Sequence, residues 1–146
     1  MVPPRAARAL ERAFALASAP WLPFSGQAST PSRWFVLGDP QAPASKLFEV
    51  LEAHDLLGDD GWLARGVGLV SIGDHYDYKC RPDELAEVGR NGSAFLAWLA
   101  AHAPSQVVIV AGNHDLCRVM ESLPSRRMSR SLAFESSPTC CCRKRL

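Results

Sequence analysis

The sequence predicts an α/β fold of parallel strands with flanking helices. Three observations carry that expectation. Three apolar runs, the last of them β-branched over 107–110, each end in a glycine followed by Asp or Asn: residues 33–41 read RWFVLGDPQ, 67–77 read VGLVSIGDHYD and 107–115 read VVIVAGNHD. Helix-length segments separate the runs. Each run then releases side chains able to bind metal or move protons, which is how open α/β sheets build sites at the carboxyl ends of their strands.

Bulk properties narrow the function. A chain of 146 residues suffices for one domain with a core, or for part of a larger one. A net charge of +1 gives no electrostatic signal for nucleic acid. No apolar run is long enough to span a bilayer. Cys80 and Cys117 are isolated, and Cys140, Cys141 and Cys142 are contiguous, which suits neither a disulfide framework nor a tetrahedral zinc site. Reduced thiols in a cytoplasmic chain are the simplest reading. Arg5, Arg8 and Arg12 precede an apolar stretch ending Ala17-Ser18-Ala19, the outline of a signal peptide. The stretch is short and Glu11 adjoins it, so an amphipathic helix is preferred.

In chain order, residues 4–18 are rich in Ala, Leu and Arg and read as a helix. Residues 19–32 hold Pro20, Pro23, Gly26 and Pro31 and read as an irregular connector. A strand is expected at 33–38, then a helix at 45–57 with Leu47, Phe48, Leu51 and Leu56 broadly on one face and Gly58 as its stop. A second strand is expected at 67–72 and a loop at 73–82. A long helix over 83–103 should bury Leu85, Val88, Phe95, Leu96 and Leu99 before Pro104 ends it. A third strand is expected at 106–111 and a short helix at 115–122. Helices between strands imply parallel pairing by right-handed crossovers, so the three Gly-Asp and Gly-Asn ends share one rim. Residues 1–32 thus read as an N-terminal helix with its connector, and 33–122 as the α/β unit. From 123 to 146 Ser, Arg and Cys replace hydrophobic period, which predicts disorder and has the composition of a truncated or out-of-frame end.

Asp39, Gln41, Asp74 and Asn113 are oxygen donors, which favour hard or borderline divalent cations. Asp74, on the middle strand in sequence, is placed to bridge two such ions. His114 follows Asn113 and can protonate a leaving oxygen or hold phosphate charge. Asp77, three residues beyond Asp74, can fix the His114 tautomer.

The blocks GDPQ (38–41), GDHYD (73–77) and GNHD (112–115) resemble the first three motifs of the calcineurin-like metallophosphoesterase superfamily: Asp-x-His, Gly-Asp-x-x-Asp and Gly-Asn-His-Asp/Glu, each after a β-strand. The resemblance covers about residues 33–120. Its most specific part is Gly-Asn-His-Asp after an apolar strand, strengthened by the order of all three motifs. It implies the N-terminal βαβαβ half of the family's α/β/β/α sandwich, making 33–122 a partial phosphoesterase domain. It implies two divalent metal ions (Mn, Fe, Zn or Mg), with Asp39 a ligand of the first, Asp74 the bridge and Asn113 a ligand of the second. His114 becomes the catalytic histidine, oriented by Asp77. The implied activity is hydrolysis of a phosphate mono- or diester by metal-bound hydroxide, on a phosphorylated small molecule, nucleotide or protein.

Two departures shape the expectation. Gln41 stands where most members have histidine, as in members acting on ADP-ribose-type and nucleotide diphosphate substrates, and Pro40 is unusual within the motif. No histidine follows His114, whereas the family supplies a single His and then a Gly-His-x-His from later strands. A hydrolase of reduced activity is therefore expected. The alternative is an inactive fragment or an α/β interaction module whose rim acids are structural. The uncovered inner face of the half-sandwich would then be an apolar patch open to self-association. Away from the rim, His75 reads as an exposed loop residue, His54 and His102 as surface residues, and Trp34, Trp62 and Trp98 as packing residues. Tyr76, Tyr78 and Arg81 read as a packed or solvated loop rather than a pocket wall.

Overall fold

In the computed structural model the apolar runs form one parallel sheet. The structure describes residues 4–20, 29–38, 41–76, 78 and 80–122. Strands β1 (Arg33–Gly38), β2 (Val67–Ile72) and β3 (Val107–Val110) alternate with helices α1 (Arg5–Ser18), α2 (Ala44–Ala53), α3 (Leu85–Ala100) and α4 (Asn113–Ser122). A 3₁₀ turn, Pro82–Glu84, leads into α3. The strand order is β1-β2-β3, both pairs parallel. Each crossover steps in the same direction, so right-handed connections carry α2 and α3 to the same face. The α/β class and the parallel sheet agree with the sequence reading. The tail over 123–146, with its expected disorder, lies outside the described residues.

Alternation along the strands shows which face is covered. Val67, Leu69 and Ser71 of β2 are buried on the helical side, with Val107 beside Leu69. Phe48 of α2 meets Phe95 and Trp98 of α3 at centroid distances of 5.6 and 5.0 Å, both edge-on. Trp98 donates its indole N–H to the Gly61 carbonyl (2.9 Å). On the other side of the sheet Trp34, Val36, Ile72, Val108 and Val110 are exposed. Trp34 lies so close over Gly68 of β2 that a Cβ there would be 2.6 Å from its ring.

Helix α1 belongs to this core. Ala6, Ala9 and Ala13 are buried and let it pack closely on α2 and α3. Its arginines hold the 55–60 loop: Arg5 reaches the Leu57 carbonyl and the Asp55 carboxylate (both 2.9 Å), Arg8 the Asp59 carbonyl and Arg12 the Asp60 carbonyl (2.9 Å). Arg12 also stacks over Trp62, 4.5 Å from its centroid. The amphipathic-helix reading of this segment agrees with the structure, and the arginines serve packing. No helix of the described residues is long and apolar enough to cross a membrane.

Several boundaries differ from expectation. Helix α2 stops at Ala53, well before Gly58. Asp55 adopts φ 54°, the Leu56 amide bonds the Leu51 carbonyl and the Asp55 amide bonds the Glu52 carbonyl (both 2.9 Å). That is a Schellman ending with Asp in the left-handed position, tolerable because Asp visits that region more readily than most residues. The released Leu57 then bridges Leu63. Helix α3 ends at Ala100, earlier than 103, and leaves Leu85 exposed at its start. Strand β3 is shorter than 106–111, and α4 begins at Asn113 rather than 115. Trp34 is about half exposed, so it packs over Gly68 at the open face rather than in the core.

Helix starts share one device. Pro4 and Pro43 precede α1 and α2 and supply no side-chain cap. Instead Glu52 of α2 accepts the Arg5 amide (2.8 Å), and Asn91 of α3 accepts the Ala44 amide (3.2 Å). At α1 and α2 the first amide finds its acceptor on another element.

Candidate functional site

The rim is built by two strand ends pressed together. Gly73 has φ 63°, and a Cβ on it would lie 2.3 Å from the Gly112 nitrogen. A Cβ on Gly112 would lie 2.1 Å from Asp74 Oδ1. Glycine is required at both positions, at the first also by its backbone angle. The Asp74 carboxylate thus occupies the place a capping side chain at residue 112 would take. Oδ1 accepts the His114 amide (3.0 Å) in the first turn of α4. Asp74 itself has φ 54°, an unusual angle for a residue with a side chain. Gln41 stands near the end of β1, exposed, with φ 30°. Asn113 is exposed and His114 half-buried.

Beneath this corner lies a polar chain that the sequence reading did not anticipate. His75 is buried, 4% exposed, where an exposed loop residue was expected. Its Nδ1 lies 2.9 Å from Asp115 Oδ2 and its Nε2 lies 2.8 Å from Ser71 Oγ. Asp115 also accepts the amides of Asp74 (2.9 Å), His75 (2.9 Å) and Gly112 (3.0 Å). Burial pushes the Asp115 carboxyl up, but these bonds outweigh it and hold the group below its ordinary value. An ionised carboxylate only accepts, so His75 Nδ1–H donates to Asp115, and in the neutral ring Nε2 accepts a hydrogen bond from the Ser71 hydroxyl. Ser, His and Asp in series resemble a nucleophilic triad. Ser71 is fully buried on the helical face of β2, however, so no substrate reaches it. The chain is a structural brace.

The period-two pattern of β2 held the missed signal: it places Ser71 with Val67 and Leu69 on the covered side, and a serine there needs a polar partner. His102 is a second correction. It is buried rather than on the surface, with Nδ1 2.8 Å from the Trp98 carbonyl and Nε2 accepting the Leu63 amide (3.2 Å). His54 is exposed, as expected.

No family model, curated protein or solved structure matches the chain. The site is therefore read from its own geometry. The structure brings Asp74, Asn113 and His114 to one corner, with Gln41 at the end of β1. Asp39 and Asp77 lie outside the described residues. Among the described residues no group of three His, Cys, Asp or Glu side chains is placed to hold a metal. Among the described residues the expected oxygen donors are one carboxylate, Asp74, and the side-chain amides of Asn113 and Gln41. Such donors suit a hard cation such as Mg²⁺ or Mn²⁺ better than a thiophilic one. Two concavities lie elsewhere. One of about 320 Å³ is lined by Leu16, Tyr76, Leu96 and Ile109, and one of about 530 Å³ by Asp60, Trp62, Arg65 and His102. Neither includes the rim residues.

Proposed function

We propose that this chain is a metal-dependent phosphoesterase-type hydrolase of the calcineurin-like kind, with residues 33–122 corresponding to the N-terminal motifs of that fold. The supporting observation is the 3.0 Å bond from the His114 amide to Asp74 Oδ1, which draws residues of two motifs into one corner. Asp74, Asn113 and Gln41, with Asp39, are the proposed metal ligands. A divalent cation, when bound, supplies charge neutralisation at phosphate and a more acidic water. The chain's own residues do the rest. Asp74 holds negative charge at the corner and fixes the first turn of α4. As water adds to phosphorus and the P–O bond to the leaving group breaks, the His114 imidazole, one residue beyond Asn113, donates a proton to the leaving oxygen. Asp77 is assigned the orientation of that ring. The substrate is a phosphorylated small molecule, nucleotide or protein, and a reduced, cytoplasmic setting suits the unpaired thiols of Cys80 and Cys117.

The test is direct. Bound Mn, Fe and Zn are measured on the purified chain, and bis-p-nitrophenyl phosphate is assayed with added Mn²⁺. Turnover that disappears in His114→Ala supports the hydrolase. A chain that takes up no metal and turns over no ester refutes it.

A second reading, an α/β module that self-associates and whose rim acids are structural, is favoured by the open sheet face. Trp34, Val36, Ile72, Val108 and Val110 form a contiguous apolar surface there.

A further inference from the structure

The side chain that gathers most of the rim is Asp115. Its carboxylate accepts four donors from both strand ends: the Gly112 amide after β3, and the Asp74 amide, His75 amide and His75 ring after β2. It does not touch the His114 amide, which is bonded to Asp74. We infer that Asp115 and His75 are positioning residues that set the Asp74 carboxylate at the α4 corner for a hard divalent cation. The cation part of this inference rests on the proposed hydrolase reading. The positioning part rests on geometry alone.

The chain of cause runs through the backbone. Asp74 sits at φ 54°, and one amide bond to Asp115 Oδ2 pins that unusual turn. Pinned there, its side chain projects over Gly112, into space that only a glycine leaves open. Asp115 stands in the first turn of α4 and returns to the Gly112 amide, half of a capping box. The other half, an acceptor on residue 112, is absent because Gly112 has no side chain, and Asp74 supplies it from the loop after β2. His75 stiffens Asp115 from below and is itself held by Ser71. A carboxylate at 115 is therefore needed so that the carboxylate at 74 is held over Gly112 in one orientation.

The experiment compares the full-length wild type with Asp115→Asn, His75→Leu and Asp74→Asn by amide hydrogen exchange and by Mn²⁺ titration followed by electron paramagnetic resonance. His75→Leu removes the ring bonds to Asp115 and Ser71 but keeps the backbone amide bond to Asp115, and serves if Asp115→Asn does not fold. Positioning predicts that exchange of the His114 amide rises about tenfold in Asp115→Asn or His75→Leu, while Leu69 and the middle of α3 keep their protection. Loss of Mn²⁺ affinity by about tenfold or more should accompany it, as in Asp74→Asn. Uniform acceleration at all amides marks mere destabilisation and overturns positioning, as does unchanged protection at His114. Unchanged Mn²⁺ affinity in variants of a chain that binds Mn²⁺ overturns the cation part. A wild type that binds no Mn²⁺ overturns the cation part and the metal-dependent reading together. The exchange result still decides whether Asp115 positions Asp74.

Discussion

At Gly112, an added methyl group would meet a carboxylate oxygen from the loop after another strand. Gly112→Ala should cost about 1–3 kcal/mol, because the Cβ would sit 2.1 Å from Asp74 Oδ1 and 2.6 Å from its nitrogen. Gly89, inside α3, has nothing within 4 Å of its Cβ position. Gly89→Ala should therefore stabilise by about 0.5–1 kcal/mol. Urea unfolding of the pair checks both, and equal midpoints would defeat the interlock. His102 gives a pH prediction. Burial lowers its ring from 6.5 to about 4, more than the Trp98 and Leu99 backbone contacts raise it. The unfolded chain then takes up the proton first. The contribution is full above the unfolded value and is lost as pH falls from about 6.5 towards 4, by about 3 kcal/mol in all. His102→Gln should be less sensitive than wild type between pH 7 and pH 4.5. Parallel stability curves for the two would reject the assignment.

Elements depend on one another through their ends. Glu52→Ala removes the acceptor of the first α1 amide and Asn91→Ala that of the first α2 amide. Each should cost about 1 kcal/mol, read from thermal or chemical unfolding. A Glu52→Ala protein as stable as wild type would show that α1 needs no such cap. These couplings also mark what the sequence could tell. The extents of β1 and β2 were legible because apolar runs end sharply at glycine or begin after it. The end of α2 was not, since Asp55 and Gly58 are both plausible stops, and the choice falls to Leu56 and Leu57 packing back towards Leu63 and Ala64. Asp74, Asn113 and His114 were legible as neighbours from strand order alone. Ser71, His75 and Asp115 were not read as a unit, because their partnership spans about forty residues and exists only once the sheet has formed.

On the scale of the molecule, the sheet is one-sided. Among the described residues the helices pack together on one face, and the other presents Trp34, Val36, Ile72, Val108 and Val110. If this surface mediates self-association, sedimentation velocity will show mass rising with concentration in wild type and staying monomeric in Val36→Lys, a change at an exposed position. A wild type that stays monomeric across the same range would remove the interaction-module reading. It would not touch the rim chemistry, which lies at the ends of the strands rather than on their face.

The borrowed caps have a consequence for how the chain folds. A helix whose first amides are satisfied only by a distant side chain gains little by forming early. Peptides spanning α1 or α2 alone should show scant helicity, being also near or below the length at which isolated helices persist. A collapsed state with its helices made and its packing loose would leave those amides without their protein acceptors. Secondary structure and assembly therefore arrive together, and the helical and aromatic signals of unfolding should fall on one curve.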